Sequence, residues 1–206
     1  MLRRLAGLSL GGAGAAAAFA PSATHAAARR ALAADGVSSP APLAIPLALE
    51  APADVDPQGH LVSEKLDGAR AVWDGRQLRF RSGLPVAAPA WFLARLPAQP
   101  LDGELWMGRG RFEALSAAVR RSTPQDAEWR TIQYMLFDLP GSRQPFAERA
   151  RELVTLARAL NWPALQAIEQ RRVADRAALM RWLDEVVRGG GEGLVLRAAD
   201  AGYGAG

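Results

Sequence analysis

The 206 residues suit one compact domain with a sizeable core and are short for two. Cysteine is absent, which excludes disulfides, a thiol nucleophile and cysteine-based zinc or iron–sulfur sites; the two histidines, His25 and His60, are too separated to suggest a metal cluster. The net charge of +4 and isoelectric point near 10.5 favour anionic partners, nucleic acid among them, although Arg3 and Arg4 carry part of that charge and no basic tail is formed.

Residues 1–28 read as a secretory signal peptide. Arg3 and Arg4 give a positive start, residues 5–20 are apolar apart from glycines and Ser9, and the small residues around Ala26 and Ala28 offer a cleavage site. A periplasmic location follows, with the Arg-Arg pair raising the twin-arginine route. The alternatives are a retained signal anchor or a disordered Ala-rich tail. Residues 27–34 have the composition of a short helix. Within residues 29–57, prolines at 40, 42, 46, 52 and 57 resist regular structure, so this segment reads as a linker or a strap laid across the domain. Leu43, Ile45, Leu47 and Leu49 alternate and suggest an edge strand despite Pro46. Residues 58–206 then carry the main domain.

Strands are expected over 60–64, 70–73 and 77–80, with Asp67-Gly68 and Asp74-Gly75 as tight turns and Arg81-Ser82-Gly83 closing the third. Between the first two lies Lys65, the only lysine among 25 basic residues. An amine can lose its proton and attack an electrophile, whereas a guanidinium cannot, so this one exception to the use of arginine marks a candidate nucleophile. Val62 and Leu66 would supply apolar walls that favour the neutral amine. The competing reading is a surface hairpin whose lysine does nothing.

Residues 89–96 open on a proline and form a short helix whose Trp91, Phe92 and Leu96 face a core. A turn at Asp102-Gly103 feeds a strand that sets Leu105 and Met107 on one face and Glu104 and Trp106 on the other. Gly108-Arg109-Gly110-Arg111 leaves backbone accessible to phosphate and leads into a helix with Phe112, Leu115 and Val119 on one side. Residues 122–128 read as a polar loop, 132–139 as a buried strand, and 146–160 as an amphipathic helix. A short strand at 165–169 precedes a helix capped by Asp175, with Leu179, Trp182, Leu183, Val186 and Val187 as its apolar face. Gly189-Gly190-Gly191 permits a sharp reversal into a last strand that begins on Glu192.

Several of these segments resemble motifs of the covalent nucleotidyltransferase superfamily, which comprises ATP-dependent DNA ligases, RNA ligases and mRNA capping enzymes. Residues 64–70, Glu-Lys-Leu-Asp-Gly-Ala-Arg, are similar to its signature K-x-D-G-x-R. Leu101-Asp102-Gly103-Glu104 resembles its third motif, the strand ending in Phe137-Asp138 the next, and Glu192-Gly193-Leu194-Val195-Leu196-Arg197 the fourth. The segment Gly-Arg-Gly-Arg-Phe-Glu at 108–113 is similar to that of the small bacterial periplasmic ATP-dependent DNA ligases. The leader and this segment disfavour an RNA ligase or capping enzyme.

The resemblance implies an α+β, ATP-grasp-like nucleotidyltransferase (adenylation) domain of antiparallel sheets flanked by helices. ATP and Mg2+ are the implied cofactors, and nicked double-stranded DNA is the implied partner of a monomer without membrane association once the leader is removed. Sealing through a lysyl-AMP intermediate would serve DNA repair, replication or recombination. Lys65 is the implied nucleophile. Arg70 and Arg81 would reach phosphates, Glu104 the ribose, Glu64 and Phe137 the adenine, and Glu192 with Asp138 the metal. The family continues into a K-x-K motif and an OB-fold domain, which have no counterpart before Gly206. The implied domain is therefore C-terminally incomplete, and a catalytically silent remnant that binds nucleotide or DNA weakly is the alternative.

Overall fold

The computed structural model describes residues 4–8, 41–52 and 54–204. For residues 4–8 only the backbone is described. The expected helix at 27–34 and most of the expected leader lie outside the described residues. Among the described residues, nine strands form two sheets.

The smaller sheet has the order β2-β1-β9-β3 and contains β1 (Arg4–Leu8), β2 (Leu49–Glu50), β3 (His60–Lys65) and β9 (Gly193–Ala198). The larger has the order β5-β4-β6-β7-β8, from β4 (Ala69–Trp73), β5 (Leu78–Phe80), β6 (Leu101–Trp106), β7 (Gln133–Asp138) and β8 (Leu165–Ala167). Most neighbours are antiparallel, as expected. Two pairs depart from this, β1 with β9 and β7 with β8, both parallel.

The first three helices, α1 (Ala90–Leu93), α2 (Phe112–Val119) and α3 (Asp126–Trp129), and the long α4 (Phe146–Leu160) cover the larger sheet. Phe92, Leu115, Trp129, Tyr134 and Leu153 are buried together there. The turn α3 interrupts what the sequence reads as a polar loop, because Trp129 is driven into this core. The last helix, α5 (Arg176–Arg188), covers the smaller sheet through Leu179, Leu183 and Val186, which pack on Val62, Leu194 and Leu196. Its start is capped as expected, with Asp175 Oδ1 accepting from Ala178 N at 2.7 Å. Among the described residues, no helix is long and apolar enough to cross a membrane.

Of the three expected Asp-Gly turns, Asp102-Gly103 is not one: it lies inside β6, where the register to β7 shifts. The other two do different work. Asp74-Gly75 closes the β4–β5 hairpin: Asp74 Oδ1 accepts from the amides of Arg76 and Gln77, and Gly75 has φ 96°. Asp67-Gly68 is not a hairpin turn. It carries the chain from β3 in one sheet to β4 in the other, and Gly68 is required by crowding, since a Cβ there would lie 2.4 Å from the Leu105 carbonyl oxygen. The expected edge strand over residues 43–49 is confined to its last residue. Leu47 and Leu49 stay exposed while Ile45 and Pro46 are buried, and the segment lies as a coil tied down by Leu43 N donating to Arg81 O. Proline has no N–H to give a ladder, which explains the loss.

Candidate functional site

The crossing between sheets opens a cavity of about 450 Å³ lined from both sides. From the smaller sheet come Glu64 and Lys65, at the end of β3, and Glu192, one residue before β9. Antiparallel pairing places Lys65 opposite Gly193 and so beside Glu192, 127 residues away in sequence, and the Lys65 ammonium is ion-paired to Glu192 Oε1. From the larger sheet come Arg70 on β4 and Glu104 on β6, which are direct cross-strand partners. Val62 does not wall the lysine as expected; it lies beneath α5 in the smaller sheet's core.

Arg70 is held on all sides. Its Nε and Nη2 donate to the two carboxylate oxygens of buried Asp102 at 3.0 and 2.7 Å, and its Nη1 donates to the Pro46 carbonyl of the strap. Its guanidinium stands 5.0 Å from the centre of the Phe137 ring, a cation–π contact. Burial works against its charge, but Asp102 outweighs that and raises its pKa. Asp102 also accepts from the Tyr203 hydroxyl at 3.2 Å. Beside this group, burial pushes the Glu104 carboxyl up to about 8; Arg70 and Lys65 oppose the rise, and Asp102 and Glu192 add to it. Glu104 is therefore largely protonated at neutral pH and can donate a hydrogen bond.

The larger sheet carries a second buried cluster that the sequence does not announce. Both oxygens of Asp138 accept from Arg149, at 2.6 and 3.3 Å, and Arg197 on β9 pairs with Oδ2. Arg149 also donates to the Ala201 carbonyl at 2.9 Å. The arrangement is a buried bridge from β7 to β9, one carboxylate between two arginines.

No protein-family profile matches the chain. A DNA ligase of Haemophilus influenzae is 36% identical over 148 residues, which cover 71% of this chain and 54% of that protein. A solved Lig E DNA ligase is 38% identical, with a TM-score of 0.69 over 74% of this chain and 60% of that one. This chain is homologous to DNA ligases over their adenylation domain. The Chlorella virus DNA ligase–adenylate, at 20% identity and a TM-score of 0.61, shares the fold, covering 75% of this chain and 60% of its own. The chain spans about half the length of the curated relative it matches, 54%.

Within this ligase-type domain, the structure gathers Glu64, Lys65, Arg70, Glu104, Phe137 and Glu192 around one cavity. Two expected members are elsewhere. Asp138 is not placed to hold a metal: it is fully buried, its oxygens are taken by Arg149 and Arg197, and it does not line the cavity. Arg81 is exposed on the turn after β5 and also lies outside the cavity lining. In exchange, Phe112 lines the cavity, although its spacing with Leu115 and Val119 reads as core. Its place as the first residue of α2 is the signal: a helix's first turn hangs over the cleft while later turns pack inward. Arg109, expected to leave backbone open to phosphate, instead grips Glu64 through two hydrogen bonds of 2.8 and 2.7 Å.

Proposed function

We propose that this domain performs the first step of ATP-dependent DNA ligation, transfer of AMP from ATP to Lys65. The observation that carries the reading is the position of the chain's single lysine, at a strand end in the cleft between two sheets, paired to one carboxylate and sharing the cavity with a second carboxyl and a half-buried arginine. The lysine must first shed a proton to solvent, while Glu192, already in contact, orients its nitrogen. The Nζ lone pair then forms the N–P bond at the α-phosphorus while the bond to the bridging oxygen breaks and pyrophosphate leaves. Arg70, preset by Asp102, offers positive charge beside the phosphates, and neutral Glu104 donates to a ribose or phosphate oxygen. Phe112 and Phe137 supply the aromatic walls for adenine, and Arg70 already covers one face of Phe137.

Mg2+ fits the donors that remain. Glu192 is partly exposed in the cavity, giving one of the carboxylates with which this ion is held beside substrate phosphates. When bound, it would neutralise phosphate charge. The acceptor of the transferred AMP would be the 5′-phosphate of nicked double-stranded DNA, met by the protein as a monomer. Export to the periplasm by residues 1–28 belongs to the same proposal; cleavage there would remove β1 from between β2 and β9, and sequencing the mature N-terminus from fractionated cells tests it.

Incubation with α-labelled ATP and Mg2+ tests the chemistry. Wild type should acquire acid-labile label and Lys65→Ala none; label retained by the variant would exclude this nucleophile.

A further inference from the structure

The reacting groups are divided between sheets, Lys65 and Glu192 on the smaller, Arg70 and Glu104 on the larger, so catalysis depends on how the sheets are registered. At the base of the cleft the buried Arg197–Asp138 contact joins them. At the mouth another guanidinium does so. Arg109 sits between β6 and α2 at the tip of a turn whose glycines, Gly108 and Gly110, have φ 104° and 68°. A Cβ at either would meet nothing within 4 Å, so glycine is needed there for backbone shape rather than for space. The turn aims Arg109 across the cleft. Its Nε and Nη2 fork onto the two oxygens of Glu64, the neighbour of Lys65, and its Nη1 donates to the Gly189 carbonyl at 3.1 Å, at the end of α5. That carbonyl begins the glycine turn leading to Glu192, and a cation suits a helix C-terminus. The fit there is close, since a Cβ on Gly189 would fall 2.4 Å from Arg109 Nη1.

We propose that Arg109 is a positioning residue: by gripping Glu64 and Gly189 together it holds the Lys65–Glu192 half of the site in register with the Arg70–Glu104 half, and so sets the rate of lysine attack more than the affinity for nucleotide. This rests on the reading of Lys65 as the nucleophile. Arg109 is too exposed for the pair to matter much to stability. Its effect is geometric, and small misplacements of reacting groups cost large factors in rate.

The test is single-turnover formation of lysyl-AMP at saturating ATP, set beside the ATP dissociation constant. Arg109→Ala should slow adenylation by about tenfold or more while affinity changes by less than about threefold. Arg109→Lys, which keeps the charge but not the fork, should be slowed as well. Arg121→Ala removes an equally exposed forked pair, with Glu128, and should leave the rate unchanged. Arg109→Ala adenylating at the wild-type rate, or losing rate only through affinity, overturns the proposal. Should wild type itself form no lysyl-AMP, the reading of the nucleophile fails. Amide hydrogen exchange then judges the latch by itself: faster exchange over residues 63–65 and 189–193 in Arg109→Ala supports it, and unchanged exchange overturns it.

Discussion

Glu104 and Asp138 are both acidic residues of the larger sheet, yet their surroundings differ. Glu104 has a carboxyl raised to about 8 from 4.5, chiefly by burial, so the folded protein binds a proton there that the unfolded chain has lost. Stability from this group is full below about 4.5 and declines as pH rises towards about 8. Thermal unfolding of wild type and Glu104→Gln across that window should show wild type losing ground to the variant as pH rises; parallel curves would contradict the assignment. Asp138 differs in that its two oxygens face guanidinium groups, those of Arg149 and Arg197. Asp138→Ala leaves two buried guanidinium groups without their counter-ion and should cost about 3–5 kcal/mol in denaturant unfolding. A metal ligand at this position would instead give a stable fold with lost activity. Lys65 was legible in the sequence because it is unique. Asp138 was not, since its partners lie on α4 and β9 and only the folded sheets bring them to it.

Among the elements, the strands and long helices follow from local pattern: β3, β6, β7, α4 and α5 stand within a few residues of their expected bounds. What pattern could not supply was partnership. β3 and β4 read as the arms of one hairpin, but they belong to different sheets, because β9 takes β3 and β6 takes β4. An Asp-Gly pair closes a hairpin where its glycine takes positive φ, as Gly75 does. Gly68 is instead pressed against β6. Gly68→Ala should therefore destabilise by about 1–3 kcal/mol through overpacking against Leu105 and Glu104, and slow adenylation by shifting the crossing beside Lys65. Equilibrium unfolding with parallel adenylation kinetics measures both; wild-type values in each would show that the crossing has room to spare.

At the scale of the whole molecule, two sheets each complete one half of a site, and the chain passes between them at the point where the chemistry is placed. Motifs scattered from residue 64 to residue 197 become neighbours through two ladders: β3–β9 brings Lys65 to Glu192, and β4–β6 brings Arg70 to Glu104. Motif order was readable in the sequence, and homology to DNA ligases agrees with it. The buried arginine cluster and the fork of Arg109 were not readable, for they are contacts between sheets and leave no periodic trace along the chain. The central claim, that the lone amine in the cleft receives AMP, is tested most directly by peptide mapping of protein treated with ATP and Mg2+. Mass spectrometry should find a single AMP adduct on the peptide containing Lys65. Adducts on other residues with Lys65 unmodified would contradict the account.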